Sequence, residues 1–208
     1  MTVQNAVVYV VDDDPSVRKS LARLMRSAGF EACTFTSALE FIEGKKPESP
    51  ACLVLDLNMP GLNGLQLQEY LLDHEISLPI VFITGYGTVP DSVKAMKAGA
   101  VDFLQKPFTD EDLLAAIARA FEADLRARQN RKQLKQLRES LETLTPRECE
   151  VFRLVAAGML NKQIAFQLGT VEKTVKVHRA RVMAKMGAHS VADLVRFADK
   201  LGISSYPP

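Results

Sequence analysis

Cysteine is scarce: Cys33, Cys52 and Cys149 are odd in number, far apart and without any Cys-x-x-Cys spacing. A disulfide framework and a cysteine-rich zinc site are therefore unsupported, and three scattered histidines supply no ligand cluster. Long apolar runs are missing too. None approaches the ~18 residues a membrane helix requires, so no membrane partner is expected. The N-terminus, MTVQNAVVYVVDDDP, has no basic segment and turns acidic before a signal-peptide core could form, which predicts a cytoplasmic protein.

What is present is average for a soluble globular chain. The 208 residues are 47% hydrophobic and 25% charged, with 11 glycines and 10 prolines, a composition unlike that of disordered, collagenous or repeat proteins. At about 150 residues per domain, this length predicts one large domain or two small ones. The net charge of +1 conceals an asymmetry. Residues 1–122 carry 10 Lys and Arg against 17 Asp and Glu, whereas residues 123–208 carry 16 against 8. The basic C-terminal part calls for a polyanionic partner that the acidic part does not share.

The first part alternates short apolar runs with amphipathic stretches: AVVYVV, EACTF, ACLVL, PIVFIT and VDFL are separated by PSVRKSLARLMRSAG, SALEFIEG, GLQLQEYLLDH and VPDSVKAMKAG, and TDEDLLAAIARAFEAD closes the series. This is five βα units. Pro15 sits near a helix start, and Gly29, Gly44 and Gly99 follow helical runs. Continuous β-branched runs such as Val7 to Val11 and Ile80 to Ile83 predict strands buried on both faces, hence an α/β fold with a doubly wound, five-stranded parallel sheet. Ligands of such sheets bind beyond the carboxyl ends of the strands.

Those ends carry Asp12, Asp13 and Asp14 after the first strand, Asp56 after the third, Thr84 after the fourth, and Gln105, Lys106 and Pro107 after the fifth. Crowded carboxylates repel unless a cation compensates, and hard oxygen donors with open water positions suit Mg²⁺. A lysine and a hydroxyl on the same rim complement a phosphoryl group. Each acid alone reads equally well as a helix cap; their joint occurrence carries the chemistry. Gly85 leaves the rim open to a bulky donor, and Lys106-Pro107 is a candidate cis bond.

The segments VVDDDPSVR, LVLDLNMPGLNG, VFITGYG and AMKAGAVDFLQKPF resemble the flavodoxin-like receiver domain of two-component response regulators, in its FixJ-like branch, over residues 5–122. The resemblance implies that Asp56 accepts phosphoryl from a sensor histidine kinase and that Asp12 and Asp13 form the acidic pair. It implies Mg²⁺ ligation by Asp13, Asp56 and the carbonyl of Asn58, with Mn²⁺ able to substitute. Lys106 would pair with the phosphate, with Thr84 and Phe103 as the switch hydroxyl and aromatic. Asp14 stands where relatives often have Glu. Residues VPDSVKAMKAGAVDF resemble the stretch by which such receivers dimerise on phosphorylation. The rival haloacid-dehalogenase pattern fits Asp12 and Asp14 but meets Ser16 where Thr or Val is required, and a flavodoxin-like cofactor binder would need a Gly-rich loop after the first strand.

Residues 123–142 read as a helical linker. Its basic run, Arg126 to Arg138, suggests exposed linker rather than a nucleic-acid site, and Leu134, Leu137, Leu141 and Leu144 recur at spacings of 3, 4 and 3. This suits pairing between protomers and a solvated helix with one apolar stripe equally well. Residues 143–208 form a small all-α unit. Thr145, Pro146 and Glu148 give a cap, an N1 proline and a capping-box acid, and Gly158 and Gly169 end helices. NKQIAFQLG and EKTVKVHRARVMAKMG make a helix-turn-helix with a basic second helix.

This region, through LTPRE, AAGMLNKQIA, KTVKVHRARVMAKM and VADLVRFA, resembles the LuxR-type DNA-binding domain. Placing Val175, Val182 and Met186 inward leaves Lys173, Lys176, Val177, Ala180 and Arg181 outside; with Thr174, the set Lys173, Lys176, Val177 and Arg181 is expected at duplex promoter DNA. Arg179 and Lys185 suit phosphate contact or packing, and His178 a structural role. Val171 replaces the usual Ser or Thr cap, with Thr170 available one residue earlier. The resemblance implies a DNA-binding transcription regulator, not an enzyme, that dimerises and engages RNA polymerase. Its organisation is similar to regulators of aromatic-hydrocarbon catabolism, styrene among them; a receiver with a non-DNA output is the alternative.

Overall fold

The computed structural model describes residues 6–44, 49–85 and 87–203. The expected outer limits at residues 5 and 208 lie outside them. Strands β1 (Val7–Val11), β2 (Glu31–Phe35), β3 (Ala51–Asp56), β4 (Ile80–Thr84) and β5 (Asp102–Gln105) form one parallel sheet in the order β2-β1-β3-β4-β5. Every residue of β1, β3 and β4 is buried. Their unbroken apolar runs have no polar face because both faces are covered.

Alternation along β1 divides the core in two. Val7, Tyr9 and Val11 join Phe41 of α2 (Ala38–Glu43), Leu67 and Leu71 of α3 (Gly64–Asp73) and Ala95 of α4 (Val89–Lys97). Val8 and Val10 join Leu21 and Met25 of α1 (Pro15–Ser27) and Leu113, Ile117 and Phe121 of α5 (Asp110–Glu142). This is the doubly wound arrangement, with its switch point between β1 and β3. Asp14 caps α1, accepting from the N–H groups of Ser16 and Val17, with Pro15 in the first turn. Gly29 and Gly99 take the left-handed conformation after their helices; Gly44 ends α2 in an extended one, so no positive φ demands glycine there.

Helix α5 is continuous from Asp110 to Glu142, and the chain divides into two compact units between Arg128 and Gln129. The second contains α6 (Pro146–Ala156), α7 (Asn161–Gln167), α8 (Glu172–Met186) and α9 (Val191–Lys200). Its core gathers Val151, Phe152, Val155, Ile164, Val175, Val182, Met186 and Leu194. The leucine stripe enters this core: Leu137 and Leu144 are buried in it and Leu141 packs against it. Thr145 and Glu148 form the expected capping box, and Gly158 and Gly169 take positive φ after α6 and α7. The cap of α8 is Val171, with no side-chain hydrogen bond, so the helix starts one residue after the position that Thr170 would cap; the Thr170 N–H donates to the carbonyl of Ala165.

Candidate functional site

Beyond the carboxyl ends of β1, β3 and β5, one ammonium joins two carboxylates. Lys106 Nζ donates to Asp12 Oδ2 and Asp56 Oδ1, each at 2.9 Å. Asp12 is 1% and Asp56 6% exposed, so both acids sit where an uncompensated charge is costly. The remaining oxygens are also bonded: the Asp14 N–H donates to Asp12 Oδ1 and the Asn58 N–H to Asp56 Oδ2, both at 2.8 Å. Arg18 Nη1 donates to the carbonyl of Asp12. The Lys106-Pro107 peptide is cis, and the Lys106 N–H donates to the carbonyl of Thr84.

Burial pushes the Asp56 carboxyl above its ordinary range; the hydrogen bond and charge of Lys106 oppose this, Asp12 reinforces it, and the Asn58 N–H opposes it again. Burial works to lower Lys106, but its bonds to Asp56 and Asp12 prevail and hold the ammonium above its ordinary value. A proton is therefore firmly held on the lysine, while Asp56 is the acid whose charge most needs support.

Asp13 stands exposed at the rim beside this pair. No three acidic, His or Cys side chains converge as a ready-made metal cluster among the described residues. Mg²⁺ does not demand one, since it keeps several waters and takes one or two carboxylates. The donor set of Asp13, Asp56 and the Asn58 carbonyl, with Asp12 nearby, fits such an ion. Asp14, by contrast, is committed to capping α1, so the second acid of the rival phosphatase pattern is occupied elsewhere.

Thr84 is fully buried at the end of β4, and Asn58 Nδ2 lies 3.4 Å from its Oγ1. Phe103 is partly buried against Phe82. Gly87 explains their closeness: a Cβ there would sit 2.6 Å from Thr84 Cγ2 and 2.8 Å from the Phe103 ring. The methyl of Thr84 and the Phe103 ring thus border one small space that only glycine leaves open. Gly85 is exposed, and a Cβ added to it would meet no atom within 4 Å, so it does not narrow the rim.

In the second unit, Lys173, Lys176, Val177 and Arg181 are exposed along α8, and Thr174 is half-buried. Val175, Val182 and Met186 face the core. Lys176 lies 3.4 Å from Glu172 in a solvated pair. Arg179 reaches Asn161 Oδ1 on α7. Lys185 stays exposed but is already bonded, donating to the carbonyl of Thr143 and to the buried Glu148.

Sequence reasoning missed Asp124. Fully buried on α5, it accepts from the Ala51 N–H at 3.0 Å and from Arg128 Nε at 2.5 Å, which ties α5 to the start of the strand that ends in Asp56. Its only sequence signal is an acid on the apolar side of α5.

The family described as the response regulator receiver domain matches residues 8–118, and that of bacterial regulatory proteins of the luxR family matches residues 142–198. Nodulation protein W of Bradyrhizobium diazoefficiens is 50% identical over 200 residues, 96% of this chain and 88% of that protein. The transcriptional regulatory protein FixJ of Rhizobium meliloti is 44% identical, covering 92% of this chain and 94% of its own. The solved structure of the response regulator StyR, 48% identical, superposes with a TM-score of 0.79 over 94% of this chain and 99% of that one. Joining a receiver to a LuxR-type DNA-binding domain, the chain belongs to the response regulator family, whose members here are transcriptional regulators and not enzymes.

Proposed function

We propose that Asp56 is the phosphoacceptor through which a sensor histidine kinase controls promoter binding by this protein. The observation that carries the reading is the single ammonium of Lys106 at 2.9 Å from both Asp12 and Asp56. A carboxylate is a weak nucleophile, and the reaction is mostly a matter of position and charge. Asp56 attacks the phosphorus of a phosphohistidine, the P–N bond breaks, and the imidazole leaves with its electron pair and takes up a proton. Lys106 Nζ stays protonated and meets the charge on the transferred oxygens. Bound Mg²⁺, or Mn²⁺ in its place, would be held by Asp12, Asp13, Asp56 and the Asn58 carbonyl and would neutralise the rest of that charge.

Thr84 then turns its hydroxyl toward the phosphoryl group and Phe103 moves within the space beside Gly87, which couples the acyl phosphate to dimerisation. Residues 5–122 are the receiver, 123–142 the helical linker, whose first residues pack on the receiver and whose last pack into the second unit, and 143–208 the DNA-binding domain. Lys173, Thr174, Lys176, Val177 and Arg181 meet duplex promoter DNA, RNA polymerase is a further partner, and the protein acts in the cytoplasm. Incubation with Mg²⁺ and acetyl phosphate should add one labile phosphate, read by mass spectrometry and lost in Asp56→Asn; a label that persists in that variant overturns the assignment.

A further inference from the structure

From Arg131 to Arg138 the segment RKQLKQLR holds four cations and no carboxylate. At about 100° per residue, Arg131, Lys132, Lys135 and Arg138 fall within an arc of about 120°. Leu134, Leu137 and Leu141 occupy a second arc centred about 130° away. Leu137 and Leu141 pack into the core of the second unit, and Gln133, on the leucine side, accepts from Lys200 Nζ. That packing fixes the rotation of the helix and turns the four cations outward.

All four are exposed. Lys135 makes a long, solvated pair with Glu139 at 3.9 Å; Lys132 and Arg138 make no ion pair among the described residues. Glu139 and Glu142 bound the arc on its C-terminal side. Cations at i,i+3 and i,i+4 repel one another and weaken the helix unless an anion faces them. A row of cations about 10 Å long complements the charge of a polyanion such as a sugar–phosphate backbone. The row belongs to the same compact unit as α8.

We propose that this face of α5 binds the phosphate backbone of duplex DNA flanking the site that α8 reads. The inference rests on the DNA-binding reading above, extends it to a second surface and revises the sequence-based expectation that this run is only exposed linker. Backbone contacts are sequence-independent, so a mixed-sequence duplex is a sufficient probe.

The test compares full-length protein with a variant carrying Arg131→Gln, Lys132→Gln, Lys135→Gln and Arg138→Gln, both after incubation with Mg²⁺ and acetyl phosphate, titrated by anisotropy against duplexes of about 40 and about 12 base pairs over a salt series. On the long duplex the variant should bind about 10- to 100-fold more weakly at low salt, with a log–log salt slope smaller by about 3 to 4. On the short duplex the two proteins should bind alike. Arg131→Lys with Arg138→Lys keeps the charge and should bind as the unmodified protein does, and unchanged amide exchange over α6–α9 in the Gln variant shows that folding is intact. Equal binding of both proteins to the long duplex overturns the inference and leaves the DNA-binding reading standing; failure of the phosphorylated protein with the natural sequence to bind either duplex overturns that reading too. Loss of binding to anionic phospholipid vesicles, with duplex binding unchanged, assigns the face to a membrane and also overturns the inference.

Discussion

Replacing Lys106 by Ala removes the one ammonium seen between two buried carboxylates. At 2.9 Å each ion pair carries roughly 6 kcal/mol of attraction for an effective dielectric of about 20. Most of that offsets desolvation, and breaking a buried pair typically costs about 3 to 5 kcal/mol. The Lys106 side chain is 27% exposed, so water reaches the site and about 2 to 4 kcal/mol is expected at pH 7.5 in EDTA. At roughly 4 °C per kcal/mol, calorimetry should show the receiver transition lowered by about 8 to 16 °C.

The pH dependence has a definite sign. Asp56 is already pushed above its ordinary range by burial, and loss of its cation raises it further. A carboxyl raised in the folded state binds more protons folded than unfolded, so the variant recovers stability as pH falls from 7.5 toward the ordinary carboxylate range. Mg²⁺ at about 100 times its dissociation constant should restore about 2.7 kcal/mol. A transition within a degree of the unmodified protein in EDTA, or a deficit that deepens on acidification, refutes the charge argument.

Leu137→Ala should destabilise the second unit by about 2 to 3 kcal/mol and speed amide exchange in α6 and α8 about 30- to 150-fold; weakened self-association with unchanged exchange would instead make the stripe an interface between protomers. Lys185 and the Thr145 N–H hold the Glu148 carboxyl at about 2, below its ordinary 4.5, so the stability it contributes is complete above about pH 4.5 and is lost as pH falls toward 2. Amide exchange over α6–α9 should show this acid loss, and Glu148→Gln should flatten it; an unchanged acid slope would contradict the pair's role. Lys176→Ala should cost roughly 1 to 3 kcal/mol on a specific duplex and relax base preference, whereas equal losses on specific and scrambled duplexes in gel-shift titrations would move the reading face elsewhere on α8.

Much of this molecule is legible in the chain alone, because the features concerned are local. Unbroken runs such as VVYVV and IVFIT require burial on both faces, and the Thr145, Pro146 and Glu148 spacing specifies a helix start within four residues. The placement of Asp12, Asp56, Thr84 and Lys106 follows from strand ends. What strand ends do not specify is which oxygen meets which nitrogen. Lys106 bridges to residues 94 and 50 positions away, Asp124 accepts from a backbone N–H 73 positions away, and Lys185 bonds to a carboxylate 37 positions away. The same holds for the leucine stripe, whose spacing suits a partner helix and an internal core equally. Periodicity names the face of a helix that will be buried; only the folded chain, by bringing distant residues within contact range, decides what buries it and which charges are left facing outward.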